Sequence, residues 1–246
     1  MRSERAFCHE QGPVFLKTSE LTKTYRFGGE EIYALREVDF AADQGDFVVI
    51  NGPSGSGKTT FLNLISAIDR PTTGNVWIQG VATGSQTEKA LAELRRTKIG
   101  LVFQSFNLIP VLSAAENVEY PLLIQHTPKP ERRKRVAEIL GEVGLTDLAR
   151  RRPSELSGGQ RQRVAVARSL IAQPKMVLAD EPTANLDSET GKQVMELMRK
   201  LNEEHCVVFI VVTHDSAVAA YARRRIRILD GQLQEGEPIE SMASTS

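Results

Sequence analysis

Residues 52–59 read Gly52-Pro53-Ser54-Gly55-Ser56-Gly57-Lys58-Thr59, which is a complete G-x-x-x-x-G-K-[ST] phosphate loop. The loop follows the apolar run at 47–50. It leads into a run whose apolar residues recur at helical spacing: Phe61, Leu64, Ile65 and Ile68. The loop therefore lies between a predicted strand and a predicted helix, the context that supports the motif. Because the glycines let backbone N–H groups close around phosphate oxygens, the sequence predicts a site for a nucleoside triphosphate.

Two side chains of this loop carry the predicted chemistry. Lys58 reaches the β- and γ-phosphates, and the Thr59 hydroxyl ligates Mg²⁺. Thr60, the next residue, completes the predicted contacts of the loop. The alternative is a glycine-rich turn without a ligand, which the flanking strand and helix disfavour.

The composition is that of an ordinary globular protein. Of the 246 residues, 41% are hydrophobic and 25% are charged, which suits one large α/β domain or a core with an inserted subdomain. Lysine plus arginine and aspartate plus glutamate each total 31, so no overall charge favours a nucleic-acid partner.

The sequence predicts neither a membrane span nor a signal peptide. The longest apolar stretch, residues 206–212, is much shorter than the about 20 residues that cross a bilayer. Residues 1–11 are charged and lack an apolar signal core. Cys8 and Cys206 have no metal-ligand spacing, and we expect both to be reduced. We therefore expect a cytoplasmic protein unless a partner brings it to a membrane.

The hydrophobic pattern changes twice along the chain. Short apolar runs separated by turn residues predict strands over about 14–81, whereas 105–172 has helical patterns, including a capping box at Ser113 and Glu116. Runs at 176–179 and 207–212 are typical of buried parallel strands, and a helix is predicted between them at 189–203. We predict one domain over 13–236. Its parts are an α/β core at 13–104 and 161–236, a helical insertion at about 105–160, and flexible tails at 1–12 and 237–246.

Two acids and a histidine stand where the buried strands end. Ligands of open α/β sheets bind beyond the carboxyl ends of the strands, so we expect Asp180 and Glu181 to point toward the phosphate loop. Asp180 suits Mg²⁺ binding, and Glu181 suits the role of general base toward water. His214 ends the other strand and would hydrogen-bond the γ-phosphate. The alternatives are two solvated acids before Pro182 and a purely structural histidine.

A second candidate anion site opens the predicted helix at 160–172. It reads Leu156-Ser157-Gly158-Gly159-Gln160, and its S-x-x-Q spacing fits a helix cap. The alternative is a phosphate site made by the Ser157 hydroxyl and glycine N–H groups at a positive helix end. Two consecutive glycines destabilise a helix by about 1 kcal/mol each, which a simple cap does not require.

At these residues the chain resembles the ATP-binding subunits of ABC transporters over nearly its whole length. The run 156–160 is identical to the family signature. The chain looks most like the subfamily that serves macrolide exporters and lipoprotein-releasing systems, on the strength of residues 69–74, 103–110 and 116–118. It departs from many relatives at Ala184-Asn185, where they have Ser-Ala before Leu-Asp in the dimer-facing loop.

The resemblance implies an α/β fold: a P-loop NTPase core with a mostly parallel sheet, an N-terminal antiparallel β subdomain and an inserted α-helical subdomain. It also implies roles, with Tyr25 stacking on adenine, Glu181 as the catalytic glutamate and His214 as the switch histidine. Lys58 joins them as a catalytic residue, and Thr59, Gln104 and Asp180 would hold Mg²⁺. The implied nucleotide contacts are Tyr25, Gly52, Pro53, Ser54, Gly55, Ser56, Gly57, Lys58, Thr59, Thr60, Gln104, Ser157, Gly158, Gly159 and Gln160.

The resemblance further implies two protein partners. A second copy of the chain would clasp two Mg-ATP molecules head to tail, with Lys58 of one copy facing Ser157 of the other. A separate transmembrane permease would place a helix in a groove near 104–110, which would hold the chain on the inner face of the cell membrane.

Three functional classes remain open at this point. The first is the motor of an ABC transporter, an exporter or lipoprotein-release type, and the second is a non-transport switch that acts through a membrane partner. The third is a soluble ATPase of DNA repair or translation, which the short interval between Lys58 and Asp180 disfavours because it leaves no room for a long coiled coil. The arginine clusters at 132–135, 150–152 and 223–225 are interpreted as solvated or membrane-facing surfaces rather than nucleic-acid contacts.

Overall fold

The computed structural model describes residues 14–235, which divide into two compact units. The first unit contains 14–87 and 208–235, and the second contains 88–207. The strands are β1 (Leu16–Phe27), β2 (Glu30–Ala42), β3 (Phe47–Asn51), β4 (Thr73–Ile78), β5 (Val81–Ala82), β6 (Ile99–Phe103), β7 (Met176–Asp180), β8 (Val208–Thr213), β9 (Arg224–Leu229) and β10 (Gln232–Glu235). The helices are α1 (Lys58–Ile65), α2 (Glu88–Lys98), α3 (Ala114–Ile124), α4 (Lys129–Glu142), α5 (Gly158–Leu170) and α6 (Ser188–His205).

The first unit contains two sets of strands. An antiparallel sheet has the order β2-β1-β4-β5, which is the predicted N-terminal β subdomain. In the other set β3 lies between β9 and β8 and runs parallel to both, and β10 pairs with β9 in the antiparallel direction. Strands β3 and β8 are buried along their lengths, which explains their continuous apolar sequences. The rings of Phe47 and Phe209 stack across this pair, 5.6 Å apart.

Helix α1 packs in the first unit through the face that the sequence predicted, with one exception. Phe61, Leu64 and Ile65 are fully buried, and the Phe61 ring meets Phe40 edge to face at 5.5 Å. Ile68, which helical spacing placed on the same face, is 50% exposed. The helix ends at Ile65, and Ala67 has a φ of 56°, so the chain leaves the helical path before Ile68.

The second unit contains the parallel pair β6 and β7 and five helices among its residues 88–207. The predicted capping box at the start of α3 is confirmed, because Ser113 Oγ accepts a hydrogen bond from Glu116 N and Ser113 N donates to Glu116 Oε2. The strand predicted at 176–179 is confirmed as β7, and the helix predicted at 189–203 is confirmed as α6. The proposed insertion at about 105–160 stays a prediction. The expected tails, and the predicted domain limits at residues 13 and 236, lie outside the described residues.

The arginine cluster at 223–225, interpreted from the sequence as a membrane-facing surface, contributes two side chains to packing inside the first unit. Arg224 and Arg225 belong to β9, which the sequence did not predict, and both are partly buried. Arg224 donates to the Ala41 carbonyl at 2.6 Å, and Arg225 donates to the Ala219 carbonyl at 2.7 Å. These side chains therefore hold neighbouring backbone within the first unit.

Cysteine chemistry also differs from the expectation. Cys206 follows α6 with a φ of 50° and is disulfide-bonded, so the prediction of reduced cysteines is wrong for this residue. The prediction for Cys8 lies outside the described residues.

Between residues 14 and 235 no helix combines the length and the apolar character that a bilayer crossing requires.

Candidate functional site

The phosphate loop connects β3 to α1, and two of its glycines are required by close packing. A Cβ on Gly52 would lie 2.3 Å from the Ile228 carbonyl oxygen. Gly57 precedes α1 with a φ of 103°, and a Cβ there would lie 2.4 Å from the Ala34 carbonyl oxygen. The loop is therefore pressed against β2 and β9, and its backbone shape depends on glycine.

Lys58 is the first residue of α1 and is buried. Its ammonium group donates to the carbonyls of Gly52 and Pro53 at 2.7 and 2.8 Å, so the lysine braces the loop that it belongs to. Ser56 Oγ is buried and has no hydrogen-bond partner within residues 14–235. A buried hydroxyl of this kind is suited to a polar ligand in the loop. Thr59 and Thr60 follow in the first turn of α1.

His214 stands beside the start of this loop. Strands β3 and β8 pair in parallel with Asn51 opposite Thr213, and Gly52 N donates to the Thr213 carbonyl at 3.2 Å. The phosphate loop and His214 thus leave neighbouring strands at the same edge, as the sequence predicted. His214 is exposed there.

Tyr25 belongs to β1 and is 43% exposed. Its hydroxyl donates to Asp69 Oδ2 at 3.2 Å, and the Lys23 ammonium lies 5.1 Å from the ring centroid. The tyrosine is therefore partly exposed, with its hydroxyl fixed by Asp69.

In the second unit the predicted Mg²⁺ ligands Gln104 and Asp180 come to one edge. Strands β6 and β7 are parallel with Phe103 opposite Asp180, so Gln104 and Glu181 each follow a strand end at the same level. Asn185 contacts one of these strand ends, since its side-chain amide donates to the backbone carbonyl of Gln104 at 2.9 Å. Glu181 has a φ of 48°, a conformation that is uncommon for residues other than glycine and that costs about 1 kcal/mol or more.

The signature segment forms the predicted cap at the start of α5. Ser157 Oγ accepts from Gln160 N at 3.3 Å, and Ser157 N donates to Gln160 Oε1 at 2.9 Å. Packing explains Gly159 as well, because a Cβ there would lie 2.3 Å from Thr190 Cγ2 in α6. Gly159 thus has a structural reason, and it no longer argues by itself for an anion site.

Sequence patterns missed one arrangement beside Gln104. Phe106 and Asn107 have φ values of 62° and 47°, and Arg168 of α5 donates to both of their carbonyls at 2.9 and 2.6 Å. Burial lowers the pKa of Arg168 from its ordinary value. The guanidinium of Arg161 lies 5.0 Å from the Phe106 ring centroid. Nothing in the linear spacing of these residues indicates that they meet.

The predicted site residues thus fall into two groups. The first unit holds Tyr25, the phosphate loop with Lys58, and His214. The second unit holds Gln104, Asp180, Glu181 and the signature run 156–160. Within residues 14–235 no three His, Cys, Asp or Glu side chains form a cluster suited to a metal ion.

Comparison with known proteins gives a consistent result. The family model described as ABC transporter matches residues 35–184. An uncharacterized ABC transporter ATP-binding protein of Methanocaldococcus jannaschii, MJ0796, is 48% identical over 228 residues, which cover 91% of this chain and 97% of that protein. The macrolide export ATP-binding/permease protein MacB of Syntrophobacter fumaroxidans is 44% identical over 221 residues, covering 89% of this chain and 31% of that protein.

A solved structure of MJ0796 resembles this fold. It is described as a dimeric post-hydrolysis state bound to ADP and Pi, and it matches with a TM-score of 0.83 at 47% identity over 92% of this chain and 100% of that one. The phosphate loop, the strand-end acids and the signature segment lie within or beside the family match. The chain belongs to the ABC transporter family and is an ATP-binding cassette ATPase.

Proposed function

We propose that this chain is the ATP-hydrolysing subunit of an ABC transporter, which dimerises around two Mg-ATP molecules and drives a separate membrane permease of the exporter or lipoprotein-release type. The observation that carries the proposal is the placement of the functional side chains at strand ends. His214 lies beside the phosphate loop in one unit, and Gln104 lies beside Asp180 and Glu181 in the other.

Hydrolysis requires a water molecule to attack the γ-phosphorus while the bond to the β–γ bridging oxygen breaks. We propose that Glu181 accepts the proton of that water, that His214 hydrogen-bonds a γ-phosphate oxygen and that ADP leaves with the bridging oxygen. On nucleotide binding, the Lys58 ammonium would give up its hydrogen bonds to the two loop carbonyls and donate to phosphate oxygens instead. Phosphate oxygens are stronger acceptors because they are charged. These side chains thus supply a base, a positioning group and positive charge.

The residues proposed for Mg²⁺ fit that ion chemically. Thr59, Gln104 and Asp180 offer a hydroxyl, an amide carbonyl and a carboxylate, and oxygen is the ligand atom that Mg²⁺ prefers. Magnesium is usually held by one or two such groups together with substrate phosphates. When bound, it would neutralise charge on the nucleotide.

We propose that Ser157 acts across a dimer. Its hydroxyl is exposed at the N-terminus of α5, where the helix adds partial positive charge, and it could donate to a phosphate oxygen while accepting from Gln160 N. The similarity to a cassette whose solved structure is dimeric supports this arrangement. Pairing would thus give each nucleotide a second protein surface.

An exposed apolar surface on the second unit supports a permease partner. Val111 is 71% exposed, and three residues of α3 are more than 40% exposed: Tyr120, Leu123 and Ile124. The three α3 residues share one helix face by their spacing, and an exposed apolar face favours a protein contact. The MacB relative supports the exporter type, since its name joins macrolide export, ATP binding and permease.

The dimer is tested with Glu181→Gln. This variant keeps the side-chain shape and removes the base, so we expect it to bind Mg-ATP without hydrolysing it and to accumulate as a dimer in size-exclusion chromatography with light scattering. Lys58→Ala is the matched control, which we expect to stay monomeric because it loses a phosphate contact. If Glu181→Gln remains monomeric at saturating Mg-ATP, the dimer proposal is wrong.

The role of Ser157 is tested against a second cap in the same unit. Ser113→Ala and Ser157→Ala each remove a serine N-cap with the same box geometry, so both should lower stability by about 1 kcal/mol. In the Glu181→Gln background we expect only Ser157→Ala to weaken Mg-ATP-dependent dimerisation. Equal dimerisation in both variants would restrict Ser157 to capping.

The permease is tested by purifying the tagged chain from detergent-solubilised native membranes with Mg-ATP and identifying what accompanies it by mass spectrometry. We expect a stoichiometric multi-span protein. Recovery with ribosomes or nucleic acid alone would contradict the transporter proposal. Substrate movement in vesicles reconstituted with both proteins would then distinguish transport from a switch without transport.

A further inference from the structure

The side chains of Lys23, Tyr25 and Asp69 in the first unit form one hydrogen-bonded network. Lys23 Nζ lies 2.8 Å from both carboxylate oxygens of Asp69, and it also donates to the Arg70 carbonyl at 2.8 Å. The Tyr25 hydroxyl donates to Asp69 Oδ2 at 3.2 Å. Asp69 therefore accepts from both β1 side chains and holds them together.

Asp69 is itself fixed to the end of the phosphate-loop helix. Its backbone N–H donates to the Asn63 carbonyl of α1 at 3.1 Å, and the Arg70 N–H donates to its Oδ1 at 2.7 Å. Helix α1 begins at Lys58 and spans roughly 12 Å at about 1.5 Å per residue. One short helix thus carries the phosphate lysine at its start and the anchor of Tyr25 just after its end.

The network leaves the tyrosine ring available. Tyr25 as a whole residue is 43% exposed, although its hydroxyl and the neighbouring lysine are both bonded to Asp69. Lys23 is mostly buried, with 13% of its side chain exposed, so this ion pair is more ordered than a pair in open solvent. Burial acts to raise the pKa of Asp69, but the hydrogen bonds from Lys23, Arg70 and Tyr25 outweigh it and the pKa is lowered, so the anchor is a carboxylate at neutral pH.

We propose that Lys23 and Asp69 are positioning residues for nucleobase binding, which hold the Tyr25 ring at a fixed place relative to the phosphate loop. This inference rests on the proposed role of Tyr25 as the aromatic residue that stacks on the base. A ring held in place before binding loses less conformational freedom on stacking than a free one, so the network increases affinity for ATP through the base alone. The carboxylate acts through the tyrosine and touches no phosphate.

The test compares a ligand that has a base with one that does not. Binding of Mg-ATP and of inorganic tripolyphosphate with Mg²⁺ is measured by calorimetry for the wild type, Lys23→Met, Asp69→Ala, Tyr25→Phe and Tyr25→Ala. Stacking of a base on an aromatic side chain contributes about five- to a hundredfold in affinity, so Tyr25→Ala should weaken Mg-ATP binding within that range. Lys23→Met, Asp69→Ala and Tyr25→Phe should each weaken it by a smaller factor of about three- to tenfold, with tripolyphosphate affinity unchanged within about twofold.

Double variants separate positioning from general stability. In the Tyr25→Ala background, Asp69→Ala should change Mg-ATP affinity by less than about twofold, because the ring that it positions is gone. Glu31→Gln is the control, since it removes an acid of β2 that lies opposite Arg26 of β1 and outside the network, and it should change neither affinity. An equal loss of tripolyphosphate affinity in Asp69→Ala, or full additivity with Tyr25→Ala, would overturn the proposal.

Failure of this inference is distinguishable from failure of the proposed function. If Tyr25→Ala leaves Mg-ATP affinity unchanged while Lys58→Ala abolishes it, the positioning network is refuted and the ATPase subunit stands. If the wild type binds neither Mg-ATP nor tripolyphosphate, the proposed function itself is wrong.

Discussion

Gly159 offers a sharp test of how the signature segment is packed. A Cβ at this position would lie 2.3 Å from Thr190 Cγ2 and 3.7 Å from Thr190 Cβ. Ordinary carbon–carbon contacts are about 3.5–4.0 Å, so Gly159→Ala forces one helix to shift against the other. The Thr190 methyl is short and is attached directly to Cβ, which leaves it little freedom to move aside.

The expected magnitude follows from two opposing effects. Overpacking of this kind costs about 1–3 kcal/mol, whereas alanine in place of glycine favours a helix by at most about 1 kcal/mol. Gly158→Ala is the matched control, because its Cβ would lie 3.1 Å from Leu186 Cδ2, the far end of a flexible side chain. We therefore expect Gly159→Ala to be about 1–3 kcal/mol less stable than Gly158→Ala.

The assay is urea unfolding followed by circular dichroism, with four variants beside the wild type: Gly158→Ala, Gly159→Ala, Thr190→Ser and the double variant Gly159→Ala/Thr190→Ser. Thr190→Ser removes the obstructing methyl and keeps the hydroxyl, so the double variant should recover most of the stability that Gly159→Ala loses. The backbone N–H of Thr190 also donates to Asp187 Oδ1 at the start of α6. This contact is kept whether residue 190 is threonine or serine.

Two results would refute this reasoning. If Gly159→Ala unfolds at the same urea concentration as Gly158→Ala, packing does not require the second glycine. If Thr190→Ser fails to rescue Gly159→Ala, the loss has another cause. In either case the alternative, that the two glycines serve an anion, would regain support.

Three further predictions concern single side chains. Arg168→Met should lower the free energy of unfolding by about 2 kcal/mol, because two backbone carbonyls lose a charged donor. Urea unfolding measures this change, and an unchanged unfolding midpoint would contradict the prediction. Lys58→Met should weaken Mg-ATP binding by about ten- to a hundredfold while circular dichroism stays native, and calorimetry that shows wild-type affinity would contradict the phosphate role. Asp69 has a lowered pKa in the folded state, so its stabilisation is present above the ordinary value of 3.8 and is lost as the pH falls through the lower folded value. As the pH is lowered from 6 to 3, the melting temperature should therefore fall more steeply for the wild type than for Asp69→Asn. Parallel curves of melting temperature against pH would contradict the ion pair.

Several structural elements of this protein could be predicted from short stretches of sequence, because the interactions that form them are local. The phosphate loop, the Ser113 and Ser157 caps and the buried strands β7 and β8 depend on residues within a few positions of one another. The rule that ligands gather at strand ends placed His214 at the strand edge where the phosphate loop begins, and the structure has it there. The position of Glu181 level with Gln104 is an observation of the structure, and the expected approach of Asp180 and Glu181 to the phosphate loop stays a prediction. The roles given to these residues stay predictions.

Other features depended on contacts between segments distant in sequence, which no local pattern specifies. Gly159 is required by Thr190, Arg168 holds carbonyls 61 and 62 positions away, and Tyr25 is anchored by Asp69, 44 positions away. The end of α1 before Ile68 and the partly buried Arg224 were likewise missed. The sequence by itself determined the main elements and the motifs that they carry, because periodicity and motif spacing are local. Only the tertiary structure decided which side chains brace those elements, because such contacts form when distant segments pack together.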